Sequence, residues 1–92
     1  MITAIVLISA ATDAIPETAQ AIADVEGVAE VYSCAGDIDL IAVLRVEDHQ
    51  DLARLIPGRI AKINGVLDTA THIAYRSFSR RDTDTAFDIG ED

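Results

Sequence analysis

Val31-Tyr32-Ser33-Cys34-Ala35-Gly36-Asp37-Ile38-Asp39-Leu40-Ile41-Ala42-Val43-Leu44-Arg45-Val46 is the stretch whose reading decides the fold. Val28 to Cys34 alternates as a strand, and Gly36-Asp37 suits a tight turn. Ile38 to Val46 follows as a second strand, apolar without a break from Leu40 to Leu44. A hairpin therefore occupies the middle of the chain. Upstream, Ile2 to Ile8 is a dense apolar run with β-branched residues, again a strand. Ala10 to Ile15 breaks it. Thr12 or Asp13 is placed to cap a helix whose first turn holds Pro16. Ile15, Ala19, Ile22 and Ala23 recur at helical spacing, and Gly27 ends the run. Downstream, Asp48 is a good N-cap, and Leu52, Leu55, Ile56, Ile60 and Ile63 form a helical stripe. Pro57-Gly58 inside it predicts a kink or break. Asn64-Gly65 closes the stripe, and Val66 to Phe78 reads as a long last strand.

The order is βαββαβ, a ferredoxin-like α+β arrangement. It predicts a four-stranded antiparallel sheet with two helices on one face. A sheet with one wet face alternates apolar and polar residues, yet the first and third strands are apolar on both faces. The uncovered face measures roughly 20 Å by 20 Å, from strand rise and spacing. Some ~400 Å² of contiguous apolar surface is unusual for a monomer. Burying it is worth on the order of 10 kcal/mol per chain as an upper bound. The expectation is a dimer, sheet to sheet, with the helices outside.

The 92 residues make one domain, half of them apolar, with only Tyr32, Tyr75, Phe78 and Phe87 as aromatics. The core is therefore aliphatic. Cys34 is the single cysteine, so no disulfide forms within the chain, and a reducing compartment is expected. Residues 1–79 carry 11 acids against 5 bases, while residues 80–92 carry 5 against 2. The short segment has only Ala86, Phe87 and Ile89 to bury and is expected to be a mobile or loosely docked acidic tail. A net charge of −9 makes the chain a poor partner for a phosphate backbone, so direct nucleic-acid binding is not expected. Ile2 to Ile8 is too short to span a bilayer and has no basic flank, which excludes a signal peptide or anchor of that kind. A cytoplasmic protein with no membrane association is expected.

Little of the polar inventory is catalytic in pattern. His49 and His72 lie on different elements without metal-ligand spacing, so no metal or other cofactor is expected. No Gly-rich phosphate loop is present, and no serine stands in a nucleophile motif. Asp37-Ile38-Asp39 has two readings: a solvated hairpin turn, or a polar pocket whose backbone N–H groups hold an anion. Thr69 and Thr71 share one face of the last strand. They are either ordinary β-branched strand residues or hydroxyls aimed at a ligand or partner.

Residues 31–46 resemble the signature of the effector-binding domain of the leucine-responsive/asparagine-regulator (Lrp/AsnC) transcription factors. Its kernel is a G-x-x-D turn before an apolar strand, here Gly36 to Asp39. Ile63-Asn64-Gly65-Val66-Leu67-Asp68-Thr69-Ala70-Thr71 resembles the family's I/L-x-G-V segment leading into a Thr-x-Thr strand, and Val25-Glu26-Gly27-Val28 resembles its first helix end. The likeness covers residues 2 to 78. It implies dimers joined into higher oligomers or rings, with an amino-acid effector bound where dimers meet. Met1 opens directly into the first strand, which implies the stand-alone version without a helix-turn-helix, able to act on full-length Lrp/AsnC regulators. Pro57-Gly58 departs from the family pattern.

Carried over with local chemistry, the resemblance implies an effector site of Gly36, Asp37, Asp39, Asp48, Ile63, Thr69 and Thr71. Backbone N–H groups near Gly36 and Asp37, with the two threonine hydroxyls, would donate to a carboxylate. Asp39 and Asp48 would accept from an ammonium group. Ile63 would line a side-chain pocket. The expectation is a non-enzymatic regulatory module. The alternative is a dimeric α/β-barrel enzyme acting on a small molecule, for which His72 with Tyr75 is the best candidate pair.

Overall fold

The computed structural model describes residues 1–80. Its elements are β1 (Ile2–Ala10), α1 (Ile15–Ala23), β2 (Val28–Ser33), β3 (Leu40–Val46), α2 (His49–Leu55), a 3-10 turn at Ile60–Lys62 and β4 (Val66–Ile73). The strands form one antiparallel sheet in the order β2-β3-β1-β4. This is the expected ferredoxin-like βαββαβ topology.

β1 takes an inner place of the sheet beside β3, and these two are its most apolar strands. It pairs with β3 from Ile2 opposite Val46 to Ile8 opposite Leu40, and its other edge takes β4. Ala4, Val6, Ile8 and Ala10 are buried beside Leu40, Ala42, Leu44 and Val46. Ile22 from α1, Leu52 from α2, and Ile56 and Ile60 beyond it close the core over them. Cross-strand partners share a face, so Ile5 and Leu7 stand with Val43 and Ile41 on the other side of the sheet.

Several boundaries differ from the sequence reading: β2 stops at Ser33 rather than Cys34, and β3 starts at Leu40 rather than Ile38. β1 runs on to Ala10, two residues past Ile8. α1 starts from Ala14 with no side-chain cap, so neither Thr12 nor Asp13 serves. Its inner stripe is Ile15, Thr18, Ala19 and Ile22, and Ala23 is exposed. Thr18 is 1% exposed because its hydroxyl donates to the Asn64 carbonyl at 3.1 Å, which hides its polarity. β4 ends at Ile73 rather than Phe78. Its last bond to β1 runs from the Ala74 N–H to the Thr3 carbonyl at 2.9 Å, one residue short of the start of β1 at Ile2.

Pro57-Gly58 does break the second helical stripe: α2 stops at Leu55, and the chain resumes as the 3-10 turn. The expectation for the acidic tail falls on residues 81–92, outside the described residues.

Candidate functional site

Most residues of the expected effector site gather at one end of the sheet, where β1 gives way to α1. Asp39 ties that end together. Its carboxylate Oδ2 accepts from the Ala10 N–H at 2.8 Å, at the point where the β1–β4 register shifts. Its own N–H donates to the Ile8 carbonyl at 3.2 Å, and its carbonyl accepts from the Cys34 N–H at 2.9 Å. The carboxylate thus satisfies a buried donor that the ladder leaves over. Gly36 turns the hairpin with φ +127°, and nothing lies within 4 Å of where a side chain would begin. Backbone conformation requires the glycine there, not crowding. Asp37 is exposed beside it.

Across β1 from the hairpin stand Thr69 and the Ile63–Gly65 turn. Thr69 pairs with Ile8 and Thr71 with Val6, which puts both hydroxyls on the helix side of the sheet, not its open face. Thr69 is half-buried and Thr71 exposed. Ile63 lines a cleft of about 570 Å³ with Ala11, Ala14 and Ala21, and Asp13 and Glu17 add carboxylates. Those two acids escaped the sequence reading because acids in a first helical turn are ordinary. Their spacing of four across the helix start was the available signal.

Asp48 does not join this group. It caps α2, which follows the opposite end of β3. Its Oδ1 accepts from the Gln50 and Asp51 N–H groups at 3.0 and 3.3 Å, and the Asp51 side chain accepts in return from the Asp48 N–H. Within one chain, then, Gly36, Asp37, Asp39, Ile63 and Thr69 share one end, Thr71 lies along the edge strand, and Asp48 is at the far end.

The open sheet face is apolar at its centre and polar around it. Ile5, Leu7, Ile41 and Val43 form the centre. On β2 the Tyr32 hydroxyl donates to Glu30 at 2.7 Å, and Arg45 stands 3.9 Å from the same carboxylate. That hydrogen bond, then the charge of Glu30, raises the Tyr32 phenol above its ordinary 10.0. His72 lies on this face opposite Ile5. Tyr75 is past the end of β4 and 100% exposed. Among the described residues no group of three or more His, Cys, Asp or Glu side chains is placed to hold a metal ion, and no helix is long and apolar enough to cross a membrane.

The chain is thus a ferredoxin-like domain with an antiparallel sheet, one bare apolar face and a G-x-x-D turn at the end of that sheet. A family model described as the Lrp/AsnC ligand binding domain matches residues 3–84, and the chain belongs to that family. A curated HTH-type transcriptional regulator of Pyrococcus horikoshii, PH1916, is 32% identical over 59 residues, covering 64% of this chain and 39% of the relative. Among solved structures, TTHA0845 from Thermus thermophilus has a TM-score of 0.80 at 39% identity, over 87% of this chain and all of that one. The transcriptional regulator NMB0573 from Neisseria meningitidis, solved with L-Met, has the same fold at a TM-score of 0.76 and 16% identity, over 86% of this chain and 53% of that one.

Proposed function

We propose that this chain is a regulatory module that binds an amino acid and assembles through its sheet, without enzymatic activity of its own, in the cytoplasm. The match to a ligand-binding domain across residues 3–84 carries this reading. The bare face of Ile5, Leu7, Ile41 and Val43 supports a dimer, sheet against sheet, because contiguous apolar surface of that kind is costly in water. Dimers meeting at their ends would form higher oligomers. Full-length Lrp/AsnC regulators are the partners through which such a module would reach DNA.

We place the effector at the end of the sheet formed by the hairpin and the Ile63 turn. Asp37 is exposed there and is the carboxylate best placed to accept from an ammonium group. Nothing lies within 4 Å of where a Gly36 side chain would begin, which leaves room for a carboxylate to approach the backbone N–H groups of the turn. The Ile63 cleft, with its alanines, suits a small or apolar side chain. Asp39 enters as the strut that holds the hairpin. Thr69 and Thr71 stand along the β4 edge, and Asp48 of a second copy would complete the set where two dimers meet. The NMB0573 complex with L-Met shows a regulator of this fold holding an amino acid.

The test is a thermal-shift screen of the chain against the standard amino acids, followed by calorimetry on any that stabilise it. Binding that weakens in both Asp37→Ala and Thr71→Val supports the site. Binding unchanged in both would put the effector elsewhere. No stabilisation by any amino acid would favour a purely structural oligomer.

A further inference from the structure

Strand pairing lines up four residues in one row across the open face. Glu30 of β2 stands opposite Val43 of β3, Val43 opposite Ile5 of β1, and Ile5 opposite His72 of β4. The row is apolar in the middle, with a carboxylate at one edge of the sheet and an imidazole at the other. Both ends are exposed in the single chain. The next row, Tyr32, Ile41, Leu7 and Ala70, carries no charge. Among the described residues no hydrogen bond or ion pair occupies the His72 ring. Glu30 accepts from the Tyr32 hydroxyl at 2.7 Å and lies 3.9 Å from Arg45. A carboxylate has about four lone-pair sites, so Glu30 can take a further donor.

The inference rests on the sheet-to-sheet dimer proposed above. A two-fold axis lying between two stacked sheets runs either along the strands or across them. Neighbouring strands are about 4.8 Å apart, so Glu30 and His72 stand roughly 7 Å to either side of the gap between β3 and β1. An axis along the strands through that gap keeps each row at its own level and reverses its order. The apolar centre then covers itself, and Glu30 of each copy lies over His72 of the other. Stacked sheets are about 10 Å apart, a gap that a glutamate and a histidine side chain span end to end. The packing angle of about 30° between aligned sheets slides the two ends by only roughly 4 Å. An axis across the strands instead lays β2 on β2. It gathers both Glu30 carboxylates at one edge and both His72 rings at the other, and like charges brought together at an interface are costly. Charge complementarity therefore selects the axis along the strands.

Few other charges face His72 in that arrangement. On β4 itself, Asp68 shares the face two pairs along, and Arg76 stands over the Phe78 ring beyond the strand end. On β1, Thr3, Ile5 and Leu7 bring none. From the second copy come Glu30 opposite the ring, Tyr32 as a neutral phenol bonded to it, and Arg45. Arg45 starts one strand and one row away, so Glu30 is the nearest charge and its sign favours a protonated ring.

We propose that His72 of each chain meets Glu30 of a second copy, and that protonation of the imidazole tightens the dimer. Imidazole side chains gain their proton between about pH 8 and pH 5, where carboxylates are still largely ionised. The experiment is sedimentation equilibrium of the full chain at about pH 8 and about pH 6, across that range. The unmutated dimer should tighten about tenfold or more at the lower pH, as two charge-assisted pairs form per dimer. His72→Gln and Glu30→Gln should still dimerise but lose that dependence, with His49 present in both as an internal control. A dimer with no pH dependence, or with one that survives in His72→Gln, overturns the pairing and leaves the sheet-to-sheet dimer standing. A chain that is monomeric at both pH values overturns both. Orientation is read separately with a short bis-maleimide, on Glu30→Cys and His72→Cys chains that also carry Cys34→Ser. Cross-linking is expected only when the two are mixed. Glu30→Cys chains that cross-link with one another overturn the axis, and the pair with it.

Discussion

Asp39 and Tyr32 show how two ordinary side chains acquire particular roles. The Asp39 carboxylate accepts the buried Ala10 N–H, so removing it strands a donor. Asp39→Ala is expected to cost about 1–3 kcal/mol in urea unfolding, with Asp39→Asn costing less because an acceptor remains. Equal stability in all three proteins would show that the bond contributes nothing. The G-x-x-D kernel is thereby explained by fold before any ligand is considered: Gly turns the hairpin and Asp pins it to β1. Tyr32 donates to Glu30, which holds its phenol above the ordinary 10.0. A group whose pKa is higher folded than unfolded stabilises the fold at lower pH and loses that contribution as pH rises through the folded value. The fold should therefore weaken as pH climbs past about 10. Phenolate absorbance should show one tyrosine titrating late, and Glu30→Gln should return it toward the ordinary range. A titration unaffected by Glu30→Gln would remove Glu30 as the cause.

At the scale of elements, two glycines with positive φ separate backbone strain from crowding. Gly36 has φ +127° with open space around it, whereas Gly65 has φ +98° and sits against the Thr18 hydroxyl. Gly36→Ala should cost about 1–2 kcal/mol, the left-handed penalty alone. Gly65→Ala should cost clearly more, since Thr18 is buried and already bonded to the Asn64 carbonyl. Denaturant midpoints compare them directly, and equal losses would mean Thr18 yields freely. Element types and order were legible in the sequence because the hydrophobic period switches cleanly between strand and helix. Pro57-Gly58 stated its own break. What escaped reading was set by tertiary partners. Thr18 looks like a surface residue until the Asn64 carbonyl is brought to it. The end of β4 is set by where its bonding to β1 stops, at the Thr3 carbonyl. The site was legible only as scattered residues. Asp39 and Asp48 bracket β3, so within one chain the strand itself holds them at opposite ends of the sheet. Thr69 and Thr71 were rightly put on one face, but only the register with Val6 and Ile8 says which.

For the whole molecule, charge and the bare sheet face make separate predictions. At net charge −9 the 92-residue chain should not retard duplex DNA at physiological salt; specific retardation of a promoter fragment by the pure chain would contradict a role through partners. Assembly is tested by two substitutions in one strand. Leu40 and Val43 are both apolar residues of β3, and pattern alone gives each a buried place. The structure separates them. Leu40 is fully buried in the single-chain core against the helix layer, while Val43 pairs with Ile5 on the open side. A charge at Leu40 must be buried without a partner, at a cost of several kcal/mol. That approaches the whole stability of a small domain, so Leu40→Glu should fail to fold. A charge at Val43 is solvated in a free monomer and buried only when two sheets meet. Val43→Glu should therefore keep its circular dichroism and sediment as a monomer at micromolar concentration, where the unmutated chain sediments as a dimer or larger. An unmutated chain that is monomeric and folded at that concentration would sink the sheet-to-sheet assembly. A dimer that survives Val43→Glu would move the interface to another face.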